Sequence, residues 1–292
     1  MKLIESKAEY IPQEKGLEGI YKMIELAGRT AYHSQDKITP TSAKDFVDRM
    51  IKSKHEACLE HGTVYLVYGE DRTRNLKTCS FVKKYLENPY SHVVFHRSDI
   101  LRTTFAYITT NYRVLEENMW ETDIATNFDL SEFHEKRYTI RFTCSRAIAN
   151  ELVRHRVFSF LQESTRYINY SKERHGGEIT FIEPSWLKET PFDIDEKLME
   201  SFSQAEDNYL WLLHWLQPQQ ARDVLPNATK TELIMTGFSS DWRFLMDLRL
   251  FEKTGKVHPD MLDLMQKAQK AMQEAGIWDD IMSKPSKFDQ YV

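Results

Sequence analysis

Three arginines and a histidine fall within thirteen residues in the stretch that runs from Arg154-His155-Arg156 to Gln162-Glu163-Ser164-Thr165-Arg166. Planar guanidinium forks match the oxygens of phosphate and carboxylate. The amide, carboxylate and hydroxyl of Gln162, Glu163 and Ser164 add groups able to read a sugar or a base edge. Phe158, Phe160 and Leu161 lie between them, so the segment is expected to pack down on the protein and aim its polar groups at a ligand. Two readings stand on the residues alone: an anion or nucleotide site, and a solvated helix end. In the second, each cation gains about 0.3–1 kcal/mol from the helix dipole. That accounts for Arg154 to Arg156 but not for the polar run that follows.

A second cluster, His55-Glu56 with Glu60-His61, offers metal-ligating and acid–base groups. The histidines are six apart, not four as in a helical H-E-x-x-H motif. On a helix they would diverge by over a third of a turn, so an ordinary His–Glu pair is expected and no metal. A third set is Arg222 in ARDVLP, Arg243 and Arg249 in DWRFLMDLR, and His258. Arg243 and Arg249 are also six apart, and spacing alone makes both surface arginines of an amphipathic helix. The chain has no G-x-G-x-x-G, no G-x-x-x-x-G-K-[ST] and no G-x-S-x-G, which argues against a dinucleotide fold, a P-loop and a serine hydrolase elbow. Cys58, Cys79 and Cys144 are odd in number and widely spaced, which excludes a disulfide framework or a CxxC site.

Elements must hold these groups in place. Helices are expected at Gly16 to Tyr32, Thr41 to Ser53 and Ser145 to Arg156, the last with Ser145 as N-cap, and a short one at Leu115 to Trp120. From Ile194 onward the pattern reads as mainly helical: Leu198 to Leu216, Ala221 to Leu225, Lys230 to Thr236, Asp241 to Glu252 and Pro259 to Gln273. Strands are expected at Gly62 to Tyr68, Phe105 to Tyr112, Tyr138 to Cys144 and Ile179 to Ile182. Residues 69–138 read as a polar, irregular insertion. The sum is an α+β fold, a mixed sheet packed with helices and helix-rich in its C-terminal half, forming one domain over residues 1–292. The longest apolar stretch, Tyr209 to Leu216, is far short of the roughly 20 residues of a membrane span. The N-terminus lacks an apolar signal core, so a cytoplasmic location is expected. A net charge of −5 weighs against non-specific nucleic-acid binding.

RHRVFSFLQESTRY (Arg154 to Tyr167) resembles the signature of the flavin-dependent thymidylate synthases: RHR, seven residues, then Ser, here Ser164. HEACLEH (His55 to His61), ARDVLP, FLMDLR, His258 and Gly28-Arg29 resemble other segments of that family, in the same order. The resemblance implies the family's thymidylate synthase-complementing type of fold and methylation of dUMP to dTMP. Methylenetetrahydrofolate would give the carbon, and FAD reduced by NADPH would give the hydride. No protein nucleophile is implied, which leaves the cysteines free to be structural. It also implies a homotetramer with active sites between subunits.

By position, the resemblance implies catalytic roles for Arg249, Ser164 and His55. It implies dUMP contacts from Glu151, Arg154, Gln162, Glu163, Ser164, Thr165, Arg166, Arg222 and Arg249, with Arg222 on the phosphate from another subunit. It implies FAD contacts from Arg154, His155, Arg156, Gln162, Glu163, Glu60 and His258. The chain departs from the family where Asn-x-Arg and a later Asn contact flavin, because those positions read Phe238, Ser240 and Phe244. A flavin contact often seen as Ser would be Ala31, and Glu151 stands where Gln is usual. The one Asn-x-Arg in the chain, Asn111-Tyr112-Arg113, lies inside the insertion, which is expected to supply replacement flavin or subunit contacts. The other readings weighed are a non-catalytic nucleotide- or flavin-binding sensor, a metal-dependent hydrolase using His55 and His61, and a nucleic-acid binder.

Overall fold

The computed structural model describes residues 1–71, 73–126, 130–166, 169–172 and 177–288; Tyr167, the last residue of the motif, lies outside them. Strands β1 (Lys2–Ile4) and β2 (Lys7–Ile11) lead into helices α1 (Gly16–Ala31) and α2 (Ser42–Lys52). A 3-10 turn at Glu56–His61 is followed by β3 (Thr63–Asp71), α3 (Ser80–Leu86), β4 (His92–Ser98), β5 (Thr103–Asn111) and α4 (Tyr112–Asn118). The chain continues through β6 (Arg137–Ser145), α5 (Arg146–Leu152), β7 (Ser159–Gln162), β8 (Thr180–Ile182), α6 (Phe192–Leu212) and α7 (Pro218–Ala221). It ends in β9 (Lys230–Phe238), α8 (Ser239–Arg249), α9 (Pro259–Glu274) and α10 (Trp278–Met282).

The central sheet has the order β2-β6-β9-β7, antiparallel throughout. Alternation decides its two faces. Tyr138, Ile140, Phe142 and Cys144 of β6, with Leu233 and Met235 of β9, pack against Trp242, Leu245 and Met246 of α8 and Met261, Leu264 and Met265 of α9. The opposite face carries Thr139 and Thr236, which share a hydroxyl hydrogen bond of 2.8 Å, and Thr236 also meets the buried His61 of the 3-10 turn at 2.8 Å. A smaller antiparallel sheet, β3-β5-β4, and a parallel β1–β8 pair complete the strands.

Two expectations are corrected here. Lys230 to Thr236, expected as helix, is a central strand. It is buried on both faces, so its apolar run lacks the alternation that marks a strand exposed on one side. The insertion is not an irregular decoration. Tyr85, Ile108, Tyr112 and Leu115 from that stretch, with Leu66 of β3, share one core with Ile20 and Ile24 of α1 and Phe46 and Val47 of α2. The helix after Ser145 is capped as expected, the Ile148 amide donating to Ser145 Oγ at 3.3 Å. It stops at Leu152, however, rather than reaching Arg156. Burial of Phe158 beneath the chain explains the stop. Gly237 of β9 makes room, since a Cβ there would lie 2.3 Å from the Phe158 ring. The chain turns to seat that ring and then runs on as β7.

Candidate functional site

The motif follows α5 as a turn, the edge strand β7 and a second turn, and its polar residues leave both ends of that strand. Before β7, Arg154 and Arg156 are exposed and His155 is half-buried. Arg249, the last residue of α8, donates from Nε to His155 Nε2 at 3.2 Å, and its Nη1 lies 3.8 Å from Glu151 Oε2. A guanidinium only donates, so His155 Nε2 is the acceptor and the imidazole proton sits on Nδ1. Burial, then the neighbouring Arg249 charge, push the His155 pKa down to about 4. His155 is therefore a neutral acceptor that orients Arg249 at pH 7. Arg243 goes elsewhere, donating to Asp247 in its own helix and to the Met282 carbonyl.

Beyond β7 a second group gathers. The Ser164 amide donates to the Ala31 carbonyl at the end of α1 (3.1 Å), and Ser164 Oγ accepts from the Arg166 amide (3.3 Å). Arg166 Nε donates to Gln219 Oε1 at 3.3 Å, and Arg222 Nη1 donates to the buried Thr165 Oγ1 at 3.2 Å. Two guanidinium groups thus share a short surface, and among the described residues Arg222 pairs with no carboxylate. Such a surface suits a phosphate. Gln162 Nε2 reaches Thr231 Oγ1 at 3.4 Å. Glu163 is turned inward. Its Oε2 accepts from Lys230 Nζ (3.0 Å) and the Glu232 amide (3.1 Å), and its Oε1 accepts from the Tyr170 hydroxyl (3.4 Å). Burial opposes the Lys230 ammonium, but Glu163 and Glu232 outweigh it and raise its pKa above the ordinary value. Glu163 therefore locks β7 to β9.

The third group surrounds a cleft lined by Tyr32, Met50, His55, Cys58, Arg113 and Leu161. The Tyr32 hydroxyl lies 3.2 Å from His55 Nδ1. Glu60 accepts from Arg113 Nη1 at 2.5 Å. His55 and His61 part company: the first is exposed on the cleft and the second is fully buried. Among the described residues no group of three or more His, Cys, Asp or Glu side chains is placed to hold a metal ion. His258 caps α9, its Nδ1 accepting from the Asp260 amide at 3.2 Å, and among the described residues its side chain joins none of the three groups. The departures from the family's flavin contacts are filled by this chain's own side chains. Phe238 stacks on His92 (3.7 Å between ring centroids, 3° between planes) with the Arg137 guanidinium 5.4 Å from its ring. The Ser240 amide donates to Glu135 Oε1, and Phe244 stacks on Phe288.

Sequence reasoning overlooked Gln219, Lys230, Tyr32 and the buried Arg137. Gln219 stands three residues before Arg222, but nothing in a lone glutamine marks a partner for Arg166. Lys230 was hidden by the helical reading of β9.

Burial, then the Arg137 charge, also push the His61 pKa down to about 3. Unfolded imidazoles titrate near 6.5. As pH falls through 6.5 the unfolded chain takes up protons that folded His61 and His155 refuse, so stability falls until about pH 4 for His155 and 3 for His61. His61 alone is expected to cost about 2 kcal/mol between pH 7 and pH 5. Melting curves across that range should show the loss, and His61→Asn should remove about half of the part due to these two histidines, His155 keeping the rest. An equally steep loss in the variant would contradict the assignment.

The family model for thymidylate synthase complementing protein matches residues 102–275 of the chain. The chain belongs to that family. The flavin-dependent thymidylate synthase of Corynebacterium glutamicum is 32% identical over 124 residues, covering 37% of this chain and 47% of that one. That of Pyrococcus furiosus is 32% identical over 143 residues, covering 47% and 53%. The chain spans about half the length of these curated relatives. Among solved structures, a UMP/dUMP methylase PolB from Streptomyces cacaoi bound with 5-Br dUMP is similar over 97% of both chains, with 14% identity and a TM-score of 0.44. The family match covers β5 to α9 and with them Arg113, the motif, Arg222 and Arg249. No helix among the described residues is long and apolar enough to cross a membrane.

Proposed function

We propose that this protein methylates dUMP to dTMP, with methylenetetrahydrofolate giving the carbon and NADPH the reducing equivalents through FAD. The supporting observation is the split of the motif. Arg249 with Glu151 and His155 stands before β7, and Ser164, Arg166 and Arg222 stand after it. Four strand residues span roughly 13 Å, so a nucleotide touching both groups fits best between two copies. One copy gives Arg249, Glu151 and Arg154 and another gives Ser164, Thr165, Arg166 and the phosphate-binding Arg222. A homotetramer supplies such sites.

The residues present suit a flavin. Tyr32, His55, Met50 and Leu161 offer an aromatic and apolar slot, and Arg113 and Lys54 offer donors at its edge. Glu60 and Gln162 lie on the segments that flank it, and Arg154, Arg156 and His258 would reach it only from another copy. Bound FAD, once reduced, supplies the hydride. Arg249 orients the uracil and stabilises negative charge that develops on its ring, as preorganised donors do. His155, neutral, fixes the direction of Arg249. Ser164 and Arg166 position the nucleotide, and His55 borders the flavin and folate.

Burial pushes the Cys58 and Cys144 thiols up to about 12, so both stay protonated at pH 7. Replacing all three cysteines by Ala should leave turnover within a few-fold of wild type. Loss of chemistry in a still-folded triple variant would mean a thiol nucleophile and a different mechanism. The functional reading itself is tested by adding FAD, removing the excess and recording the visible spectrum. A retained flavin band that bleaches with NADPH in the absence of air is expected. Failure to retain flavin would favour a nucleotide sensor.

A further inference from the structure

We propose that Arg113, delivered by α4, is a ligand-binding residue that donates to the edge of a neutral heteroaromatic ring seated in the His55 cleft. Flavin and pterin ring systems both carry such an edge of carbonyl and ring-nitrogen acceptors. The proposal rests on the FAD- and folate-dependent reading above and deepens it.

The position of Arg113 is fixed by its neighbours. Asn111 caps α4, its Oδ1 accepting from the Val114 amide at 3.1 Å, and the Tyr112 amide donates to the Gly62 carbonyl at 2.8 Å. Tyr112 and Leu115 are seated in the core shared with α1 and α2. Arg113, between them, borders the cleft from the α4 side. Two carboxylates then clamp its guanidinium: Nη1 donates to Glu60 Oε1 at 2.5 Å and Nε to Glu117 Oε1 at 2.6 Å. Among the described residues no hydrogen bond is made by its Nη2 amine. A guanidinium held this way loses little freedom on binding.

Charge decides the class of ligand. Glu60 and Glu117 offset the arginine, and Lys54 at the rim lies 3.3 Å from Glu56. A balanced cleft offers little to a phosphate. It suits a neutral ring that accepts hydrogen bonds. The walls agree, because Tyr32, His55, Met50, Cys58 and Leu161 present aromatic and apolar surface to a planar body.

Deleting α4 would remove Tyr112 and Leu115 from the core, so point substitution is the cleaner test. Arg113→Ala and Arg113→Lys are compared with wild type in three titrations: FAD by flavin fluorescence, tetrahydrofolate into the FAD-loaded protein by calorimetry, and dUMP alone. Losing one charge-assisted donor should weaken either FAD or tetrahydrofolate roughly ten- to a hundredfold. Whichever weakens identifies the ring. Binding of dUMP should stay within about twofold, and Lys, which lacks the planar fork, should recover little. Unchanged affinity for both FAD and tetrahydrofolate would overturn the proposal. So would equal weakening of all three ligands, because Arg113 would then be a structural staple between Glu60 and Glu117. A wild-type protein that binds no FAD would instead overturn the functional reading, and this proposal with it.

Discussion

Replacing Arg249 by alanine lowers dTMP formation by two to three orders of magnitude and leaves the protein folded with FAD bound. The magnitude is that of removing one preorganised donor from a developing anion. The location supports selectivity. Arg249 ends α8, whose Trp242, Leu245 and Met246 are seated in the main core, while its own side chain lies partly exposed against His155 and Glu151. Truncation therefore removes no core packing. FAD is expected on the far side of β7, against His55, and should bind with unchanged affinity. Turnover within a few-fold of wild type in Arg249→Ala would sink the assignment. A variant that loses FAD together with turnover would place Arg249 in the flavin site instead.

Replacing Lys230 by methionine has the largest expected effect on stability. The Glu163 side chain is 2% exposed, and its charge is met by Lys230 Nζ at 3.0 Å. Removing the ammonium leaves a buried carboxylate with, among the described residues, only the Glu232 amide and the Tyr170 hydroxyl as hydrogen-bond partners. Breaking a buried pair from one side costs about 3–5 kcal/mol, or a fall in Tm of roughly 6–15 °C for a chain of this size. The Glu163→Gln exchange made in the same chain removes the stranded charge and should restore most of the loss. Binding of dUMP should follow the same pattern, because Glu163 fixes the end of β7 from which Ser164 and Arg166 project. A Lys230→Met protein that melts like wild type would show that Glu163 is solvated.

Much of the fold was legible because its helices carry clean amphipathic patterns. α1 and α2 and the later α8 and α9 fall where periodicity puts them. The sheet was harder to read. β9 is buried on both faces, and β1, β2 and β4 are short or half-exposed strands whose patterns are weak. The insertion could be seen as different but not as part of the core, since Tyr85, Ile108 and Leu115 meet α1 and α2 only in three dimensions. Within the site, the motif marked the correct segment but not the direction of each side chain. Glu163 reads as a ligand and turns inward to Lys230. Arg243 and Arg249 read alike, yet one braces the C-terminal segment and the other meets His155. That difference arises from the turn after α5, which the burial of Phe158 dictates.

The most direct measurement of the central claim is dTMP formation by the full chain supplied with dUMP, methylenetetrahydrofolate, FAD and NADPH, with each component omitted in turn. The account predicts dTMP only when all four are present. A protein that binds dUMP and FAD yet forms no dTMP, or that forms it without FAD, would contradict the account.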